Sequence, residues 1–248
     1  MLLYHYTSIE TLCSIAAFIS KGEIILRANN HKKMNDPNDC RYFIEETFRG
    51  MDIEDGKNDL LNIYEEYSNA YITSFSELKD DLHMWNCYGD NGHGIALGIN
   101  SYYLHEFAQA MTYNGIISCL PHKCKYMQTA EIMKLYASTT LASISSDTTI
   151  AKTIADIIVQ NTNLVKHPCY KYEQEWRVVF SGNKKDLEKY PASLYHKTGD
   201  YFSVPIPLSE IKEIVVGPCG NMDAIKKIFS SYFPETDFLK STVPFIDK

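Results

Sequence analysis

Tyr172-Glu173-Gln174-Glu175-Trp176-Arg177-Val178-Val179-Phe180 is polar where it begins and apolar where it ends, and the segment from Tyr170 to Phe180 predicts a strand of unusual polarity. Alternate side chains of a strand share a face, so Glu173, Glu175 and Arg177 line up together while Trp176 and Val178 turn to the core. A ladder of acid, acid and base in a core strand is costly unless the charges pair or meet solvent in a cleft. Two carboxylates this close tend to raise one pKa while the arginine lowers the other, a common way to poise groups for catalysis. A solvated strand face with an internal ion pair fits the same pattern.

Working outward, short apolar or alternating runs predict further strands at Leu2–Tyr6, Ile24–Leu26, Tyr71–Ser76, His93–Ile99 and Ile211–Val216. Thr7 and Glu10 have the spacing of a capping box that opens a helix, and Lys21-Gly22 closes it. Helical spacing recurs over residues 41 to 49, 58 to 68 and 80 to 85, and from about Met222 to Tyr232. Two more helices are expected between Gln128 and Val165, broken at Ser145-Ser146-Asp147. In the run His93 to Ile99, Gly94, Ala96 and Gly98 leave one face nearly bare, which lets a helix or a ligand approach the backbone. Strands at the beginning, middle and end with helices clustered between them give an α+β arrangement, and no linker or repeat divides residues 1–248, so one domain is expected.

The 31 acids outweigh the 24 bases, for a net charge of −7, and no window has the run of Lys and Arg that a phosphate-tracking surface needs. General nucleic-acid binding is not expected, although short basic spots leave room for local RNA docking. Seven cysteines at irregular spacings, with no leader-like start, point to reduced thiols and a cytoplasmic location. Cys119, His122 and Cys124 lack a second paired half, so no metal is expected. No apolar stretch approaches the ~20 residues that span a bilayer.

His5 stands at the end of the first predicted strand, where a side chain can project into a cleft, and Ser74 and Ser76 share a strand face with Ile72. The succession Leu3-Tyr4-His5-Tyr6-Thr7-Ser8, Asn35-Asp36-Pro37, Thr73-Ser74-Phe75-Ser76, Met84-Trp85 with Tyr88, His93-Gly94-Ile95-Ala96-Leu97-Gly98 and Tyr172-Glu173-Gln174-Glu175-Trp176-Arg177 resembles the bacterial family called domain of unknown function 2971. The likeness extends to Ile211–Gly217, with a modest departure at Asn38-Asp39. The layout of that family looks like an ADP-ribosyltransferase, which implies a split β-sandwich core with helices packed around it and NAD as substrate.

The resemblance implies roles by position. His5 would hold the ribose or amide end of the dinucleotide, Ser74 or Ser76 would orient the acid, and Glu175 would stabilise the cation formed as the bond to nicotinamide breaks. Glu173 resembles the first acid of a Glu-x-Glu pair that activates an acceptor. Tyr6, Trp85 or Tyr88 could stack on a ligand ring, and the loop Asn29 to Asp39, with Thr7, Asn35, Asp36 and Arg177 nearby in the motifs, could cover or line the cleft. The dinucleotide-fold glycine fingerprint is absent, so NAD rests on the resemblance alone. Three functions follow: an NAD-consuming transferase of unknown acceptor, acting as a toxin or in phage defence; a noncatalytic nucleotide- or peptide-binding module of a defence or signalling pathway; and a carboxylate-dependent hydrolase with Asp36 as partner to Glu173 or Glu175.

Overall fold

The computed structural model describes residues 1–16, 19–34, 36, 38–52, 70–113, 121–141, 158–182, 187–188 and 190–245. The helix expected over 58 to 68, the break at Ser145-Ser146-Asp147, Asn35 and Cys119 lie outside the described residues. The N-terminal half consists of β1 (Leu2–Thr7), α1 (Ile9–Ala16), β2 (Glu23–Asn30), α2 (Tyr42–Met51), β3 (Tyr71–Ser76), α3 (Leu82–Cys87), β4 (Ile95–Asn100) and α4 (Ser101–Tyr113). Then come β5 (His122–Lys123), β6 (Lys125–Tyr126), α5 (Thr129–Leu141), β7 (Val165–Lys166), β8 (Glu175–Phe180), β9 (Tyr195–His196), β10 (Tyr201–Pro207), β11 (Ile211–Val216), α6 (Met222–Phe229) and β12 (Asp237–Lys240). The result is a mixed α+β fold in which helices surround a multistranded sheet.

The sheet runs β12-β11-β4-β1-β3-β2-β10-β9, with β8 and then β5 on the other edge of β3. Among the described residues only β11 and β12 are parallel in it. β3 is therefore a branch point. One of its edges pairs with β8 over its whole length, from Tyr71↔Phe180 to Ser76↔Glu175. The other edge meets β1 only at Tyr4↔Ser76 and β2 only at Asn29↔Ile72 and Asn30↔Tyr71. Between those contacts, beside residues 73–75, the sheet forks.

Period-two patterning sets the core. Leu3 of β1, Ile24, Leu26 and Ala28 of β2, Ile95, Leu97 and Ile99 of β4, and Phe202, Val204 and Ile206 of β10 are all buried in one cluster with Leu12 and Ile15 of α1. Each of the Leu, Ile, Val and Phe side chains contributes about 1.5–3 kcal/mol on burial. A second cluster on the opposite face holds Tyr4, Tyr6, Met84, Trp85, Ala96 and Val215. The bare face of β4 belongs there, where Ala96 packs with Met84 and Trp85 of α3. A Cβ at Gly98 would stand 2.7 Å from Glu213 Cγ and 3.1 Å from Tyr4 Cε1, so side chains of the two flanking strands occupy that space.

Several local expectations shift by a residue or more: the helix expected over 80 to 85 spans Leu82–Cys87, the strand expected at His93–Ile99 spans Ile95–Asn100, and Lys21 ends the 3-10 turn Ile19–Lys21 instead of α1. Thr7 ends β1, and Ser8 caps α1, its Oγ accepting from the Thr11 amide at 3.1 Å. The late strand begins at Glu175 instead of Tyr170, because Pro168–Glu173 winds into a 3-10 helix that Gln174 ends in the left-handed conformation (φ 44°, ψ 48°).

Candidate functional site

That left-handed turn changes how the two acids meet. Glu173 and Glu175 do not alternate along one strand; they flank Gln174 and converge on Lys166 at the end of β7. Lys166 Nζ donates to Glu173 Oε2 at 2.7 Å and to Glu175 Oε2 at 2.9 Å. The side chains of all three are at most 6% exposed. A cation between the carboxylates removes the repulsion that would otherwise force one of them to hold a proton.

Arg177 anchors the other side. Its guanidinium, wholly buried, donates through Nη1 and Nη2 to the two oxygens of Asp39 at 2.7 and 2.6 Å. Nε and Nη2 reach Glu175 Oε1 and Oε2 at 2.8 and 3.1 Å, and Nη1 also donates to the Asn163 carbonyl at 2.8 Å. Every N–H of the fork is thus used, which is the condition under which a buried arginine is tolerated. Burial by itself would raise the Glu175 pKa, but Arg177 and Lys166 outweigh it and hold the carboxyl at about 2. Burial likewise works against the Lys166 ammonium, and the surrounding carboxylates, Glu175 first, overcome it and keep the amine charged far above neutrality. Three acids, Asp39, Glu173 and Glu175, face two bases, so the cluster carries one formal negative charge in surplus.

The cluster forms part of the wall of a cavity of about 330 Å³ that also meets His5, Ser74, Asp36, Tyr6 and Tyr88. Tyr88 Oη donates to Glu173 Oε1 at 2.6 Å; burial, reinforced by that bond, raises its pKa far out of the physiological range. Ser74 Oγ is buried and lacks a well-formed hydrogen bond, although it stands near enough to Glu175 to favour the ionised carboxylate. His5 Nδ1 lies 3.0 Å from the Ser74 carbonyl at the fork. A carbonyl only accepts, so Nδ1 carries the proton. Burial lowers the His5 pKa against the opposing pull of that bond. The ring is then neutral at pH 7, with Nε2 an acceptor.

A second cavity, of about 800 Å³, opens on the other side of the fork and shares His5 and Asn29 with the first. Thr7 lines this larger cavity and not the smaller one.

Several expected ligand contacts are committed elsewhere. Trp85 is wholly buried in the second core cluster, its Nε1 donating to Asp80 at 2.7 Å, so it cannot stack on a ligand. Ser76 is 1% exposed and its hydroxyl donates to the Glu173 carbonyl at 2.6 Å, so of the two serines only Ser74 reaches the cavity. Tyr6 lines the cavity, but its hydroxyl is spent on the Leu78 carbonyl at 2.9 Å and its ring packs edge-on to Trp85. Arg177 lies behind the wall as its anchor.

Sequence reasoning missed Lys166 and the clamp role of Asp39. Asp39 gave a signal as the only acid of the Asn29–Asp39 loop besides Asp36. Lys166 gave a weaker one, a lone cation after the apolar pair Leu164-Val165.

Among the described residues no three His, Cys, Asp or Glu side chains are grouped to hold a metal ion, and no helix is long and apolar enough to cross a membrane. The model of a protein family of unknown function, DUF2971, matches residues 84–178. That stretch includes Tyr88, Lys166, Glu173, Glu175 and Arg177 but neither His5 nor Ser74. No curated protein and no solved structure matches the chain.

Proposed function

We propose that the cavity at the fork is the reactive site of an ADP-ribosyltransferase-like enzyme that cleaves NAD and passes ADP-ribose to an acceptor. The observation that supports this reading is that the Glu173 and Glu175 carboxylates, the Ser74 hydroxyl and the neutral His5 ring all line one cavity. In the reaction the ribose C1′–nitrogen bond breaks and both its electrons leave with nicotinamide, so positive charge develops on the ribose. A buried wall with surplus negative charge, held rigid by Arg177 and Lys166, stabilises that charge without having to reorganise. His5 Nε2 accepts a hydrogen bond from a ribose hydroxyl or the carboxamide. The acceptor attacks C1′ with a lone pair, and Glu173 takes the proton it loses. The forked sheet supports the split β-sandwich expected from the resemblance, with the ligand at the split.

Purified protein incubated with NAD should release nicotinamide. Glu175→Gln should slow that release by about 10²-fold or more, the usual loss when one preorganised electrostatic stabiliser is removed. Absence of release from the wild type in the presence of candidate acceptors, or full release from the variant, contradicts the reading. One observation favours binding without turnover: both oxygens of Glu175 already accept from Arg177 or Lys166. Calorimetry separates the two readings, since a noncatalytic module binds NAD saturably and leaves it intact.

A further inference from the structure

The larger cavity has its own cluster of polar side chains, away from the acids. On the face of the sheet that it exposes, Ser203 of β10 pairs with Arg27 of β2, Tyr201 pairs with Asn29, and His196 of β9 pairs with Tyr201. Paired residues of neighbouring antiparallel strands project to the same side about 5 Å apart, so these five form one grid. The Arg27 guanidinium carbon lies 4.7 Å from the centre of the Tyr201 ring. The His196 ring stacks on Tyr201 at 4.3 Å and 16°. Because β2 and β9 flank β10, the two reach Tyr201 from opposite sides. His196 Nε2 in turn lies 2.7 Å from Ser203 Oγ, and Ser203 is only 4% exposed.

A guanidinium held by a ring under its face keeps its N–H edge available. Arg27 is exposed and makes no ion pair among the described residues. Its fixed fork of donors matches the oxygens of a phosphate, and the Asn29 carboxamide and Ser203 hydroxyl stand next to it on the same face. The cavity wall contains two acids. Glu23 lies four residues from Arg27 along β2, about 13 Å at strand spacing, and Glu10 belongs to α1. We propose that this cavity is a second binding site, which takes the phosphate group of a small phosphate ester through Arg27, Asn29 and Ser203. The ring of Tyr201 is enclosed between Arg27 and His196, so it holds the guanidinium in place instead of stacking on the ligand.

The test is a titration of the full chain with ribose 5-phosphate, with ribose as the uncharged control, followed through the Arg27 Nε–H and His196 ring signals in ¹H–¹⁵N spectra. Ribose 5-phosphate should shift both signals saturably and ribose should shift neither. Arg27→Met should weaken binding by about tenfold or more, the equivalent of one charge-assisted contact. Ser203→Ala gives a second variant, whose removal of a hydroxyl leaves Tyr201 and Arg27 in place, and it should weaken binding less. No saturable response, an equal response to ribose, or unchanged affinity in a folded Arg27→Met protein overturns the proposal. The probe carries no nicotinamide and the readout is binding, so the result does not depend on whether NAD is cleaved.

Discussion

The same three-residue arrangement occurs twice among the described residues. On β11, one strand in from the sheet edge, Glu213 accepts from Tyr4 Oη at 2.6 Å and from Lys79 Nζ at 2.7 Å. At the fork Glu173 accepts from Tyr88 Oη at 2.6 Å and from Lys166 Nζ at 2.7 Å. The bonds are alike, but the settings differ. Lys79 is 45% exposed, pairs with a single acid, and the Tyr4 ring closes over the small Gly98 face. Lys166 is 5% exposed, spans two acids, and its wall faces a cavity. Tyrosine, glutamate and lysine in contact therefore do not by themselves set the fork apart. What distinguishes the fork is a second carboxylate, exclusion of solvent and space for a ligand.

The difference can be broken most directly at the lysines. Lys166→Met leaves two carboxylates buried without their shared cation, and should cost about 3–5 kcal/mol in urea denaturation. Lys79→Met removes a cation that water already screens, and should cost less than about 1 kcal/mol. Equal effects would remove the distinction between the two clusters.

Acid sharpens the comparison at an intermediate scale. The folded Glu175 pKa lies below its unfolded value, so the stabilisation from this group is fully present above the unfolded value of about 4.5 and is lost as pH falls through about 2. The shift corresponds to about 3 kcal/mol between pH 5 and pH 2, and a series of unfolding curves across that range should show it in the wild type. Lys166→Met should narrow the difference, because one of the two cations that depress Glu175 is gone. A wild-type curve flat from pH 5 to 2 would mean that Glu175 is not held in the ionised form.

Much of the sheet is legible in the sequence from short runs rich in apolar and β-branched residues: Tyr71–Ser76 and Ile211–Val216 are strands with the bounds those runs give, buried along nearly their whole length. The late strand starts later than its pattern predicts because Gln174 adopts a left-handed conformation that nothing in the local pattern demands. Glu173, Glu175, His5 and Ser74 were legible as chemistry, and they do line one cavity. Trp85 and Ser76 were not separable from ligand-facing residues, since whether an aromatic ring or a hydroxyl is spent internally depends on partners such as Asp80 and the Glu173 backbone. Asp39 and Arg177 are 138 residues apart, and only the folded chain brings them together. The fork itself follows from two strands, β1 and β2, sharing one edge of β3 while β8 takes the other, a tertiary fact with no local signature.

A paired nicotinamide-release assay on Glu173→Gln and Glu213→Gln tests the central claim most directly, because each acid accepts from one tyrosine and one lysine and the two differ in their surroundings. Glu173→Gln should lower turnover by about 10²-fold, while Glu213→Gln should stay within about twofold of the wild type. Equal losses in the two variants, or a wild type that releases no nicotinamide, would contradict the assignment of the fork as the reactive site.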